Sequence, residues 1–162
     1  MSLQYIIDGY NLLHHPQFRR NVKKTEDPRN ALVALITSFA LTGSLNNRVL
    51  VVFDGWCELA QSLRQGLRIR AVASGDESAD AVIMRLTERT RDPKGTVVVS
   101  DDKEIRIFVK ACGARAMSVA DFFAPLIKEE EKAAARKGEG ACELSITQMA
   151  EIDKELRKIW LK

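Results

Sequence analysis

The sequence predicts an α/β fold on a parallel sheet of about five strands. Three observations predict it. Short apolar runs end in acids: Gln4-Tyr5-Ile6-Ile7 meets Asp8-Gly9, Val49-Leu50-Val51-Val52-Phe53 meets Asp54-Gly55, and Thr96-Val97-Val98-Val99-Ser100 meets Asp101-Asp102. Segments of helical spacing alternate with these runs, the pattern of parallel strands joined by right-handed crossovers. Acids at the same end of three strands then place carboxylates on one rim of one sheet, the edge where ligands collect in open α/β folds.

Each element has its own signal. The first strand starts almost at the N-terminus. After Asn11 the stretch through His14, His15, Pro16, Arg19, Arg20, Lys23 and Lys24 is polar and aperiodic, and reads as an exposed loop. Asp27-Pro28 marks a helix start, with the acid as N-cap and proline in the first turn. Ala31, Leu32, Leu35, Ile36 and Phe39 then recur at helical spacing as a core face, and Thr42-Gly43-Ser44 stops the helix. The second strand runs from Arg48 to Phe53. Glu58 to Gln65 reads as a short helix or an ordered loop. Leu67 to Ala73 alternates weakly and predicts a third strand near the sheet edge. Ser78 caps a helix from Ala79 to about Thr90, with Val82, Ile83 and Leu86 inward and Asp80 in its first turn.

Thr96 to Ser100 is the fourth strand. Asp101 or Asp102 caps the helix that follows, whose Ile105, Phe108 and Val109 point inward and which Cys112-Gly113 closes. Ala114 to Val119 is a fifth strand, and Asp121 to Ile127 an apolar docking segment. The first domain therefore covers residues 1–127. Residues 128–162 are a charged helix extension or linker followed by a C-terminal amphipathic helix. There Ser145 and Gln148 form a capping box, and Ile146, Met149, Ile152, Leu156 and Ile159 form the apolar stripe. This tail is expected to dock on the domain.

Composition narrows the function. The 162 residues are 46% hydrophobic and 29% charged, an ordinary globular balance, with 25 basic against 22 acidic residues. A net charge of +3 does not by itself identify a nucleic-acid partner; the placement of the charges matters more. Cys57, Cys112 and Cys142 are odd in number, widely spaced and without a CxxC, so they fit reduced thiols rather than a zinc site. No secretion signal and no membrane-length apolar run is evident, and the sequence predicts a soluble cytoplasmic protein. There is no GxxxxGK[ST] loop, which disfavours an NTPase.

Each acid has an ordinary explanation when taken alone. Asp8 and Asp54 precede glycines and suit turns, Asp80 complements a helix dipole, and one of Asp101 and Asp102 is a cap. Taken together, Asp8, Asp54, Asp80 and Asp101 at one rim exceed what capping explains. Their repulsion calls for a cation. Of the Asp101-Asp102 pair, Asp101 is expected to face the site. Oxygen donors without histidine or thiolate suit Mg²⁺ or Mn²⁺, ions that serve phosphate chemistry. Asn11 can orient a carboxylate, and Ser100 adds a hydroxyl at the same strand end.

These residues resemble a known family. Ile7-Asp8-Gly9-Tyr10-Asn11, Val52-Phe53-Asp54-Gly55, Ser78-Ala79-Asp80 and Ser100-Asp101 are together similar to the NYN-domain nucleases of the PIN-like ribonuclease group, and most of all to their YacP-like bacterial branch. The resemblance spans roughly residues 3–125, with a similar helical tail. It implies a three-layer α/β/α fold and metal-dependent endoribonuclease activity on single-stranded RNA. It further implies Asp8, Asp80 and Asp101 as metal ligands, Asp54 as a further ligand or the group that orients the attacking water, and Asn11 and Ser100 as supporting groups. That branch includes ribosome-associated enzymes that cut messenger RNA, which makes the ribosome a candidate partner. The chain departs from the family pattern after Ser100-Asp101, where Asp102-Lys103-Glu104-Ile105 replaces an aromatic residue and a glutamine.

A phosphodiester strand needs positive charge beside such a pocket. Arg19, Arg20, Lys23 and Lys24 are the favoured contacts because they follow Asn11, with Arg64, Arg68, Arg70, Lys103 and Arg106 as further candidates. Trp56 can stack a base but reads first as core packing, and Tyr10 reads as a packing or positioning residue rather than a base-stacking one. A rival reading is a non-catalytic RNA- or ribosome-binding module on the same fold. An aspartyl phosphatase is disfavoured because Tyr10 stands where its second acid belongs.

Overall fold

A computed structural model of the chain describes residues 2–24, 27–44, 46–55 and 69–137. Five strands, β1 (Gln4–Asp8), β2 (Arg48–Phe53), β3 (Ile69–Ala73), β4 (Thr96–Val99) and β5 (Arg115–Met117), form one sheet in the order β3-β2-β1-β4-β5. Every pairing is parallel. The apolar runs are long and uninterrupted because β1, β2 and β4 lie inside the sheet and are covered on both faces. β3 is an edge strand, as its weak alternation suggests.

Helices α4 (Ala79–Glu88) and α5 (Lys103–Ala111) pack over one face, where Val82, Ile83, Ile105 and Val109 meet Ile6, Val52 and Val98. Strand residues alternate between faces, so Tyr5, Ile7, Val51, Phe53, Val97 and Val99 turn to the other. That face is covered by α1 (Gly9–His14), α2 (Pro16–Asn21), α3 (Pro28–Ser38) and the helical residues 119–125. There Phe122 reaches Tyr5, and Arg29 lies over Phe53. The result is a three-layer sandwich with β1 at its centre. Chain connections leave β1 towards β2 on one side, whereas β4 lies on its other side. The strand order therefore reverses beside β1, which puts a ligand crevice at its carboxyl end.

Two expectations are corrected here. Only the part with Lys23 and Lys24 is exposed and non-helical; as far as Asn21 the stretch after Asn11 is not a loop but belongs to the two six-residue helices α1 and α2. Each hides one anchor, Leu12 and Phe18, too few to give a periodic signal. His15 caps α2 by accepting from the Gln17 amide, and its ring stacks on Phe123 with centroids 5.2 Å apart. The second correction concerns Phe39, which is 41% exposed rather than in the core.

Helix α3 stops at Ser38, and Ala40 takes a positive φ of 45°. The Leu41 amide bonds to the Ile36 carbonyl and the Ala40 amide to that of Thr37, the bond pair of a Schellman end. Leu41 is buried in place of Phe39. An L-residue is strained in that left-handed conformation. Ala40→Gly is therefore expected to stabilise the fold by about 1 kcal/mol in urea denaturation, and an unchanged or lower midpoint would contradict the strain.

The chain divides into two compact units, Met1–Pro125 and Leu126–Lys162. Residues 126–137 of the second unit are helical, so the charged stretch begins as a helix rather than a linker. Expectations for Trp56, Cys57, the segment 58–65, Arg64, Arg68, Cys142 and the helix after Ser145 lie outside the described residues. Among those described, no helix is long and apolar enough to cross a membrane.

Candidate active site

The carboxyl ends of β1 and β2 and the start of α4 surround a pocket of ≈ 240 Å³, lined by Asp8, Tyr10, Asn11, Asp54, Ser78, Ala79, Asp80 and Asp102. Asp8 ends β1 and is the N-cap of α1, a position it shares with any turn-forming acid. Its surroundings set it apart. Asp8 is only 4% exposed. Its Oδ2 accepts from Asn11 Nδ2 at 2.6 Å, and that amide also donates to Ser100 Oγ at 3.0 Å. Ser100 is fully buried, and its hydroxyl in turn accepts from the Asp102 amide at 3.1 Å. Asn11 and Ser100 thus tie the ends of β1 and β4 together below the pocket and hold the Asp8 carboxylate in one orientation.

Asp54 is held from the opposite side. Its Oδ1 accepts from Ser74 Oγ at 3.3 Å and from the Ala79 amide at 3.2 Å. Ser74 also takes the Gly55 amide, at 2.9 Å, and closes the turn after β2. Gly55 has a φ of 76°, which lets the chain turn directly after the acid. Asp80 stands in the first turn of α4, where Ser78 caps the helix by accepting from the Ala81 amide.

The pair after β4 behaves differently from expectation. Asp102 both caps α5, accepting from the Glu104 and Ile105 amides, and lines the pocket. Asp101 is turned to the next element, where its Oδ1 accepts from the Val119 amide at 2.9 Å. Asp102 therefore replaces Asp101 as the acid that β4 delivers to the site. The physical reason is the Val119 amide. It is a donor at the start of the helical residues 119–125, and it captures the nearer carboxylate.

Electrostatics fit this arrangement. Burial pushes the Asp8 carboxyl up from its ordinary range; hydrogen bonds from Asn11 oppose the shift, and the Asp80 charge adds to it. Asp80 is also pushed up, first by partial loss of water and then by repulsion from Asp102, Asp54 and Glu104. Among the described residues no basic side chain forms an ion pair with Asp8, Asp54, Asp80 or Asp102. Nor do three His, Cys, Asp or Glu side chains there gather closely enough to hold an ion by themselves. Mg²⁺ and Mn²⁺ tolerate that spacing, because they keep several waters and take substrate phosphate oxygens as ligands. The donor set is all hard oxygen and suits them.

The basic candidates among the described residues lie outside the pocket lining. Arg19 and Arg20 end α2, Lys23 and Lys24 follow it in exposed positions, and Lys103 begins α5 beside Asp102. Sequence reasoning missed Ser74. No local signal marks it: Phe53 pairs with Ala73, and only that register brings Ser74 opposite Asp54.

The YacP-like NYN domain family model matches residues 5–161. Two solved structures share the fold. The crystal structure of Rae1 (YacP) from Bacillus subtilis is 22% identical with a TM-score of 0.58, covering 98% of this chain and 92% of that one. Its W164L mutant is likewise 22% identical, with a TM-score of 0.57 and coverage of 91% and 89%. No curated protein matches the chain. With a match across nearly its whole length and an acidic pocket at the switch point of its sheet, the chain belongs to the YacP-like NYN domain family, a family of nucleases.

Proposed function

We propose that the chain is a Mg²⁺- or Mn²⁺-dependent endoribonuclease that hydrolyses single-stranded RNA in the cytoplasm, with messenger RNA on the ribosome as its natural substrate. The observation that carries this is the pocket itself, with four carboxylates, no basic partner among the described residues, and two acids whose ionisation is disfavoured. Asp8, Asp54, Asp80 and Asp102 are the residues to hold the cation. Held there, a cation would supply charge for the phosphate oxygens and a water acidic enough to attack near neutral pH.

The chain's own groups do the positioning. Asn11 and Ser100 fix Asp8, and Ser74 fixes Asp54 where it can orient the attacking water. That water adds to phosphorus while one P–O bond of the strand breaks, and the departing oxygen takes up a proton. Arg19, Arg20, Lys23 and Lys24 supply the positive charge that follows the backbone, joined by Lys103. RNA affinity should therefore weaken steeply with salt.

A labelled unstructured RNA tests the proposal. Internal cuts with Mn²⁺ or Mg²⁺ that disappear in EDTA are the expected result. Absence of cutting by the folded protein, both alone and with translating ribosomes, would leave a binding module. A paired comparison tests the acid assignment. Asp102→Asn is expected to reduce cleavage by about 10²-fold or more, since an interaction with transition-state charge is lost. Asp101→Asn is expected to change cleavage little and to lower stability by about 1 kcal/mol through the weakened bond to the Val119 amide. The reverse ranking in cleavage would restore Asp101 as the ligand.

A further inference from the structure

We infer that Tyr10, backed by His14 and Arg19, is a stacking platform for a nucleobase of the strand that enters the acidic pocket. The inference rests on the proposed nuclease reading and deepens it. Tyr10 belongs to the wall of the pocket, beside Asp8, Asp54, Asp80 and Asp102. Yet 57% of the residue is exposed. Helix α1 buries Gly9 and Leu12 and leaves Tyr10 outward, so the ring is not there to pack the core. Among the described residues it is the one aromatic ring that lines the acidic pocket.

The ring is also supported. His14, one turn on, lies with its centroid 4.3 Å away at an interplanar angle of 55°. Arg19 Nη2 is 3.2 Å from His14 Nδ1. A guanidinium carries only donors, so Nδ1 accepts and the Arg19 charge is held behind the aromatic pair. An exposed ring with a cation one side chain away is a combination that grips single-stranded nucleic acid, with the base on the ring and positive charge for the backbone. It also answers a difficulty of the pocket, since a polyanion must approach four carboxylates. Arg19 and Arg20 lie on α2, which continues directly from the helix that carries Tyr10. Every base has a π-face, so the platform holds the strand without reading its sequence.

The test uses the full chain and a short unstructured oligoribonucleotide carrying 2-aminopurine. Tyr10→Ala is expected to raise KM by about tenfold or more, the loss typical of one stacked base, with a smaller change in kcat. Tyr10→Phe keeps the ring and should recover the wild-type KM. In an Asp8→Asn background, binding should quench the fluorescence of a 2-aminopurine beside the cut, and adding Tyr10→Ala should abolish the quench. A wild-type KM with an undiminished quench in the Tyr10→Ala chains overturns the inference. So does a Tyr10→Phe chain as impaired as Tyr10→Ala, which would assign the effect to the hydroxyl. If the wild type cuts no RNA, alone or with translating ribosomes, but the Tyr10-dependent quench is present, the nuclease reading fails and the stacking site stands.

Discussion

Asp8→Asn should lower RNA cleavage by about 10²- to 10³-fold and leave the fold at least as stable as wild type at pH 7. The activity loss follows from charge. The substituted amide would keep the size and the capping oxygen of Asp8 but could not carry the negative charge a divalent cation needs, and such stabilisation is worth several kcal/mol, at about 1.4 kcal/mol per factor of ten. The stability gain follows from burial. Loss of water is the main reason the Asp8 carboxyl is pushed up, and its hydrogen bonds do not fully compensate. The amide of Asn11 can turn over to present its oxygen to the new donor.

The sign of the pH dependence is fixed by that shift. The folded-state pKa of Asp8 lies above its unfolded value. The stability contribution is therefore complete below the unfolded pKa of about 3.9 and is lost as pH rises through the folded pKa. The variant has no such loss. Its advantage should open as pH rises from the ordinary carboxylate range and level off above the folded pKa. Denaturation midpoints of both proteins across that range measure it. Added Mg²⁺ or Mn²⁺ should close the gap by stabilising wild type more than the variant. A variant less stable by the same amount at every pH would mean that Asp8 is not held at an electrostatic cost. Cleavage that survives the substitution would remove Asp8 from the chemistry.

Gly9→Ala should be the most damaging change of a single methyl group near the site. A Cβ there would stand 2.6 Å from Phe53 Cδ1 and Cε1 and 2.9 Å from the Val52 carbonyl oxygen. Neither neighbour can yield cheaply. Phe53 is 2% exposed, with the Arg29 guanidinium 5.6 Å from its ring centroid, and Val52 is paired to Asp8 in the sheet. The start of α1 must move instead. Overpacking of this kind costs about 1–3 kcal/mol. The same movement displaces Asp8 and Asn11, on either side of the glycine, and a misplacement of about 1 Å can cost about 10²-fold in rate.

Urea denaturation and RNA cleavage read the two effects separately. Phe53→Leu in the Gly9→Ala background should recover part of the stability, since the smaller side chain opens the space the methyl needs and contacting residues do not add independently. A Gly9→Ala chain with wild-type stability and rate would show that α1 has room to shift without moving the acids. The glycine of the Asp8-Gly9 turn is thus explained by a close approach of β2 rather than by an unusual backbone angle.

The sequence by itself determined the elements whose signals are local. Uninterrupted valine and isoleucine runs make β1, β2 and β4 buried strands, because a strand covered on both faces has no polar side to show. Asp27-Pro28 and Ser78 start α3 and α4, because a cap acts on amides two or three residues away. It also determined that Asp8 and Asp54 would share a rim, since strands that run parallel must end at one edge, and that Asp80 would open the helix that leaves the same rim after β3.

Only the tertiary structure decided what depends on distant partners. Residues 9–14 and 16–21 are helical because Leu12, Phe18 and the stack of His15 on Phe123 anchor them, and single anchors leave no period in a sequence. Asp102 rather than Asp101 lines the pocket because the Val119 amide, 18 residues on, takes Asp101. Ser74 holds Asp54 through the register of an edge strand. A run of residues fixes its own backbone by local sterics and hydrogen bonds. The direction of a side chain at a strand end depends on which donor the rest of the fold brings to it.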